Sequence, residues 1–155
     1  MKNVFKVLFF LTLFSVSAQT KPIPGLVPTD VYLNMEKQGF KTAKQIGNEY
    51  GNNWTSTLSA SGIEYIVSTY SNKTTTVLSV KATAILHDVS KQIVSTKQLF
   101  KYIGSLPFTG NNPTKIANWL DSNFNIKGST IVVSGVVFTL LCPSNYSRIL
   151  TIEAK

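Results

Sequence analysis

Cysteine and histidine each occur once in this chain, and acidic residues only seven times. A single thiol, Cys142, excludes an internal disulfide, so the fold must rest on packing alone. A lone histidine, His87, excludes HxxxH, and CxxC is missing too, so neither common zinc signature is present. The acids (Asp30, Glu36, Glu49, Glu64, Asp88, Asp121, Glu153) are scattered singly, with no calcium-loop spacing. No GxGxxG or GxxxxGK loop is there to cradle a phosphate, and no serine sits in GxSxG. The expectation is no metal and no cofactor. Charged residues make up 14% of the chain, against roughly 25% in a typical soluble domain.

What is present begins with an address. Lys2 and Lys6 precede an apolar run from Val7 to Val16, and Val16-Ser17-Ala18 is a small-residue cleavage site. Ten residues of helix rise about 15 Å, half of a hydrocarbon core of about 30 Å, so the run is too short for a permanent span. Residues 1–18 are read as a signal peptide, and the mature chain is expected to be secreted or periplasmic, with no transmembrane span. Residues 19–28 form a proline-rich extended lead-in, and residues 29–155 a single α+β domain of a size that buries a core without staples.

Local patterns place the elements. Thr29 is expected to cap a helix from Asp30 to Gln38, with Val31 and Met35 on its inner face and Gly39 as its stop. Thr42–Asn53 reads as a polar connection. Trp54–Ala60 and Ile63–Tyr70 read as strands joined by Ser61-Gly62. Thr75–Leu86 alternates cleanly, with Leu78, Val80, Ala82, Ala84 and Leu86 on one side and Ser79, Lys81 and Thr83 on the other. Val89–Leu106 turns helical, with Val89, Ile93, Phe100 and Ile103 on one stripe and Asp88 as its cap. Asn112-Pro113 opens another helix to Phe124, facing Ile116, Trp119 and Leu120 inward. Ser129–Leu141 is apolar at both parities, the pattern of one strand covered on both faces, with Gly135 as a bulge or a close approach. Arg148–Ala154 closes the chain as a last strand.

The expected order is α-β-β-β-α-α-β-β, a single antiparallel sheet of about five strands with helices packed on it. That order resembles the α-βββ-α-ββ arrangement of type III secretion chaperones and YbjN-like proteins, in topology alone. The resemblance implies binding of polypeptides rather than catalysis. A signal peptide is a departure from those cytosolic chaperones.

Basic residues carry the functional expectation. After signal removal, 13 basic side chains face seven acids, and Arg148 is the only arginine. Arginine dominates planar phosphate and base recognition, so this ratio disfavours nucleic acid. Lys97 and Lys101 share a helical face at i, i+4, and Lys91 lies on the same helix. These three are the candidate binding residues, for a protein or an anionic surface of the envelope or extracellular space. Lys37, Lys41, Lys44 and Lys115 add charge without an assignable face. A second reading is a small secreted hydrolase in which Glu64 and Asp88 converge in one cleft. A third is self-assembly through a strand edge or Cys142. Three Asn-X-Ser/Thr triplets, at Asn53, Asn72 and Asn145, would matter only in a glycosylating pathway.

Overall fold

Alternation of more and less buried side chains along the central strands organises the molecule. A computed structural model describes residues 21–48, 51–73 and 75–155, with residues 46–48 in backbone only. The expected signal peptide lies outside the described residues. The chain runs α1 (Pro28–Lys37), β1 (Lys41–Asn48), β2 (Gly51–Ala60), β3 (Ile63–Ser71) and β4 (Ser79–Leu86). It continues through α2 (Val89–Gly104), α3 (Pro113–Asn123), β5 (Gly128–Val133), β6 (Val136–Ser144) and β7 (Ser147–Ala154). All seven strands form one antiparallel sheet in the order β1-β2-β3-β4-β7-β6-β5. The helical connection α2–α3 carries the chain from the central strand β4 to the far edge, from which β5, β6 and β7 return inward.

The class is α+β with a single antiparallel sheet, but the expectation of about five strands is overturned, and with it the order. Two strands were hidden, each for its own physical reason. Lys41–Asn48 is an edge strand rather than a polar connection. An edge needs no apolar alternation, and exposed Lys41 and Lys44 are the charges with which edges resist pairing. The run Ser129–Leu141 is a hairpin rather than one strand covered on both sides. Ser134 and Gly135 have φ of 48° and 78°, which makes a two-residue turn between the paired Val133 and Val136. Ser61-Gly62, at 52° and 74°, makes the same turn between Ala60 and Ile63. Both faces of the run look apolar because a two-residue turn reverses the chain between two strands that each bury one face.

Every buried strand residue belongs to one face. Trp54, Thr69, Val80, Ile152 and Phe138 lie in one cross-strand row, and Ser56, Val67, Ala82, Leu150 and Leu140 in the next. Small Ala82 and Ala84 leave room for α2, whose inner stripe is Gln92, Thr96, Phe100 and Ile103. That stripe is rotated from the expected one, leaving Val89 and Ile93 only half-buried. The helix α3 buries Ile116, Trp119 and Leu120 as its spacing predicts, and the Asn112 side chain accepts the Lys115 N–H at 2.9 Å.

The helix α1 starts two residues before the expected Asp30. Pro28 takes its first position, and the Asp30 carboxylate reaches back to accept the Val27 N–H at 3.1 Å. The described part of the lead-in, from Lys21 onward, contributes to the core. Ile23 and Leu26 are buried, and Ile23 N–H donates to Val77 O at 2.7 Å.

One buried charge stands out. Arg148 is 5% exposed, yet it meets no carboxylate among the described residues. Its Nε donates to Phe124 O at 3.1 Å, and one terminal nitrogen donates to Ser144 O and Ser147 O, both at 2.9 Å. Phe124 caps the C-terminus of α3, so the guanidinium sits where the helix end is negative. Only a planar fork reaches both sets of carbonyls, and that explains an arginine here in a chain that otherwise uses lysine.

Candidate functional site

The lysines singled out by spacing do not stand free. Asp121 on α3 lies between two of them, with Lys101 Nζ at 2.7 Å and Lys97 Nζ at 3.4 Å. The Lys97 ammonium also lies 5.8 Å from the centre of the Phe124 ring. Their job in the fold is to clip α2 to α3. The Lys101 hydrogen bond, with help from Lys97, holds the Asp121 carboxyl below its ordinary range. Lys91 is separate, near the N-terminal end of α2. It pairs with Asp88 at 3.2 Å and is almost wholly in solvent. Spacing could show that Lys97 and Lys101 share a face, but not that a carboxylate from another helix shares it with them.

Glu64 and Asp88 do not converge. Asp88 is the N-cap residue of α2, and its carboxylate accepts from the Ser90 hydroxyl at 2.7 Å. That bond, then the one from Lys91, lowers its pKa. Glu64 instead approaches His87, Oε1 to Nε2 at 3.9 Å, beside a shallow hollow of 230 Å³ around the β2–β3 turn. Asp88 does not line that hollow. The two-carboxylate arrangement that glycoside chemistry requires is therefore not assembled by this pair. Among the described residues, no three of His, Cys, Asp and Glu gather as a metal-ligand set. No described helix is long and apolar enough to cross a membrane.

Gln92, which carries no sequence motif, is the joint behind this corner. It is buried, accepts the N–H groups of His87 and Asp88 at 2.7 and 2.9 Å, and donates to Ser61 O at 2.7 Å. It thereby locks the β2–β3 turn to the start of α2. Behind it, a 310 Å³ groove runs between α2 and the β2–β3 hairpin, with Leu58, Tyr65, Gln98, Leu99 and Tyr102 in its walls. No charged side chain lines it. Burial pushes the Tyr65 phenol up, with a weaker opposing pull from Thr96, so it is a neutral hydroxyl. Tyr102 donates to the Asn34 side-chain oxygen at 3.2 Å and braces α2 against α1.

Cys142 is half-buried on the helix-covered side of β6, its Sγ donating to Phe124 O at 3.3 Å. Burial raises its pKa, and the nearby Arg148 charge offsets this only in part. Such a thiol is a poor nucleophile and is badly placed for cross-linking.

The largest feature is the other side of the sheet. Among the described residues, the buried strand positions point toward the helices, and the opposite parity has none. Three cross-strand rows define this open face. One runs Thr57, Ile66, Thr83, Ile149, Leu141; a second runs Thr55, Ser68, Lys81, Thr151, Thr139, Thr130. A third runs Tyr70, Ser79, Glu153, Val137, Val132. Tyr70, Ile85 and Val132 are 42%, 37% and 42% exposed, three of the seven large hydrophobics open to solvent among the described residues. The face is thus divided. Strands β3 to β7 carry its large aliphatic residues, set among threonines, serines, Lys81 and Glu153, whereas β1 and β2 present Lys41, Gln45, Asn53, Thr55 and Thr57.

No family matches. Neither a protein-family model, nor a curated protein, nor a solved structure matches this chain. The functional reading therefore rests on the surfaces just described. Of these, the open sheet face was legible only in part, through the alternation of Ser79, Lys81 and Thr83. Its β5–β6 portion was masked by reading one strand where a hairpin stands.

Proposed function

We propose that this chain is an exported, non-catalytic binding protein that engages a protein partner through the open face of its sheet. One observation carries the reading. Three helices cover one face of the seven-stranded sheet, and among the described residues no strand residue on the other is buried. An aliphatic patch interleaved with threonines marks a surface suited to another protein. An anionic surface is less well supported as the partner. Lys97 and Lys101, the side chains that would have met it, already share Asp121. Export is supported by the basic start and short apolar run of residues 1–18.

The test places a photo-activatable cross-linking residue at Thr83, in the middle of the open face, and separately at Ser105, exposed at the end of α2. In native cells, adducts are expected from position 83 and not from 105. Equal labelling at both positions, or none at 83, overturns the reading.

A further inference from the structure

We propose that the partner of the open face is a second copy of this chain, packed sheet against sheet. The inference rests on the binding reading above and supplies its occupant.

Charge is the first argument. The open face carries Lys41 and Lys81 against Glu64 and Glu153, a balanced set. The remaining described charged residues are eleven basic against four acidic. With a formal net charge of +8 for the full chain, or +6 (13 − 7) once residues 1–18 are removed, two copies repel each other through most approaches. This face is where a copy can meet itself with no net like charge on either side. Within it, Glu153 stands diagonally from Lys81, because Ser79 pairs with Glu153 and Lys81 with Thr151. The central cation keeps an anion of its own sheet beside it.

Size is the second. Six inter-strand spacings of about 4.8 Å by about 25 Å of strand give roughly 700 Å². A stable interface needs about 800 Å² from each partner, so the face is the right size when nearly all of it is used. The hollow at the β2–β3 turn is far too small to offer such an area.

Composition is the third. Ile66, Ile85, Ile149 and Val137 alternate with Thr83, Thr139 and Thr151, mostly β-branched side chains with few rotamers to lose on association. Two such faces stack about 10 Å apart in an aligned sandwich. A two-fold axis lying between them lets one patch serve both copies and closes the assembly at a dimer. Edge-to-edge growth is opposed at β1 by Lys41 and Lys44.

Sedimentation velocity on the purified chain tests the proposal, with Ile149→Lys on the open face and Val94→Lys on the exposed side of α2 as control. At about 100 µM, well above a micromolar Kd, the parent and Val94→Lys are expected to sediment as dimers. Ile149→Lys is expected to be a monomer with an unchanged circular dichroism spectrum; Ile85→Lys serves in its place if that variant does not fold. A monomeric parent overturns the second-copy proposal, and so does a dimer that survives both substitutions. A monomeric parent with a cross-link from position 83 to a different protein removes the second copy but keeps the binding reading. A monomeric parent with no cross-link at 83 removes both.

Discussion

Ile149 and Leu150 are neighbours on β7, similar in size and apolarity, and they live in different worlds. Leu150 is wholly buried between the sheet and its helices, while Ile149 looks out from the bare side. The same contrast runs along β3, where Tyr65, Val67 and Thr69 are buried and Glu64, Ile66, Ser68 and Tyr70 are not. A sheet with one covered face holds itself together with that face and leaves the other free to vary. On the open side of this protein the freedom has been used unevenly. From β3 to the far edge, Ile66, Ile85, Ile149, Val137, Leu141 and Val132 stand among threonines, serines, Lys81 and Glu153, whereas β1 and β2 offer no large aliphatic residue among the described side chains of this face. Stability does not require that difference, since solvated sheet faces ordinarily carry polar residues. On the binding reading proposed above, these aliphatic positions are where a partner would make contact.

Truncating each of these two neighbours in turn separates the covered face from the open one. Leu150→Ala removes a side chain from a packed core and is expected to cost about 3–4 kcal/mol in urea unfolding. Ile149→Ala leaves no cavity and is expected to cost about 1 kcal/mol or less in the monomer. If the open face pairs two copies, the Ile149→Ala cost grows with protein concentration while that of Leu150→Ala does not. Equal costs in dilute solution would mean that the two faces are energetically alike. Next in size is Arg148→Ala. It strands the carbonyls of Phe124, Ser144 and Ser147 beneath the helices, at an expected cost of about 2–3 kcal/mol. Arg148→Lys should recover only part of this, because one ammonium cannot span both groups of carbonyls.

How far the sequence could be read depends on which face a residue serves. Covered-side positions of β3 and β4, and the helices α2 and α3, announced themselves through periodicity, because burial demands apolar residues at fixed intervals. The strand β1 could not, since an edge with little to bury imposes no pattern. The β5–β6 hairpin was missed although its signal was present. Ser134-Gly135 repeats the Ser61-Gly62 turn, but the valines on either side read as one continuous strand. For the candidate site, Lys97 and Lys101 were correctly placed on one helical face, while Asp121 lay hidden because nothing local tells which side chains of another helix will approach. Gln92 is the opposite case, an ordinary residue made important by three backbone groups distant from one another in the chain.

The turn itself offers a sharper and smaller test. Gly135 has φ near 78° and no atom within 4 Å of where a Cβ would stand. Gly135→Ala should therefore report backbone strain alone, about 1 kcal/mol on the measured unfolding free energy. Because the register of β5 on β6 decides which valines face outward, a larger loss with altered sedimentation would show that the turn also sets the open face.

The smallest effect belongs to the covered side, in the Asp121 clip. Lys101 and Lys97 hold the Asp121 carboxyl below its ordinary range in the folded chain. A depressed folded pKa means the unfolded chain takes up the proton first. The clip therefore stabilises the fold above the ordinary aspartate range, near pH 3.9, and loses its contribution as pH falls through the folded value. Thermal melts of the parent and Asp121→Asn should differ modestly at neutral pH and converge as the solution is acidified toward and below that range. Because all three side chains are partly in solvent, raising the salt to about 1 M should shrink the neutral-pH gap as well. No gap at neutral pH would mean that the Asp121 charge does not hold the two lysines. That would return Lys97 and Lys101 to the status of free cations available to an anionic partner.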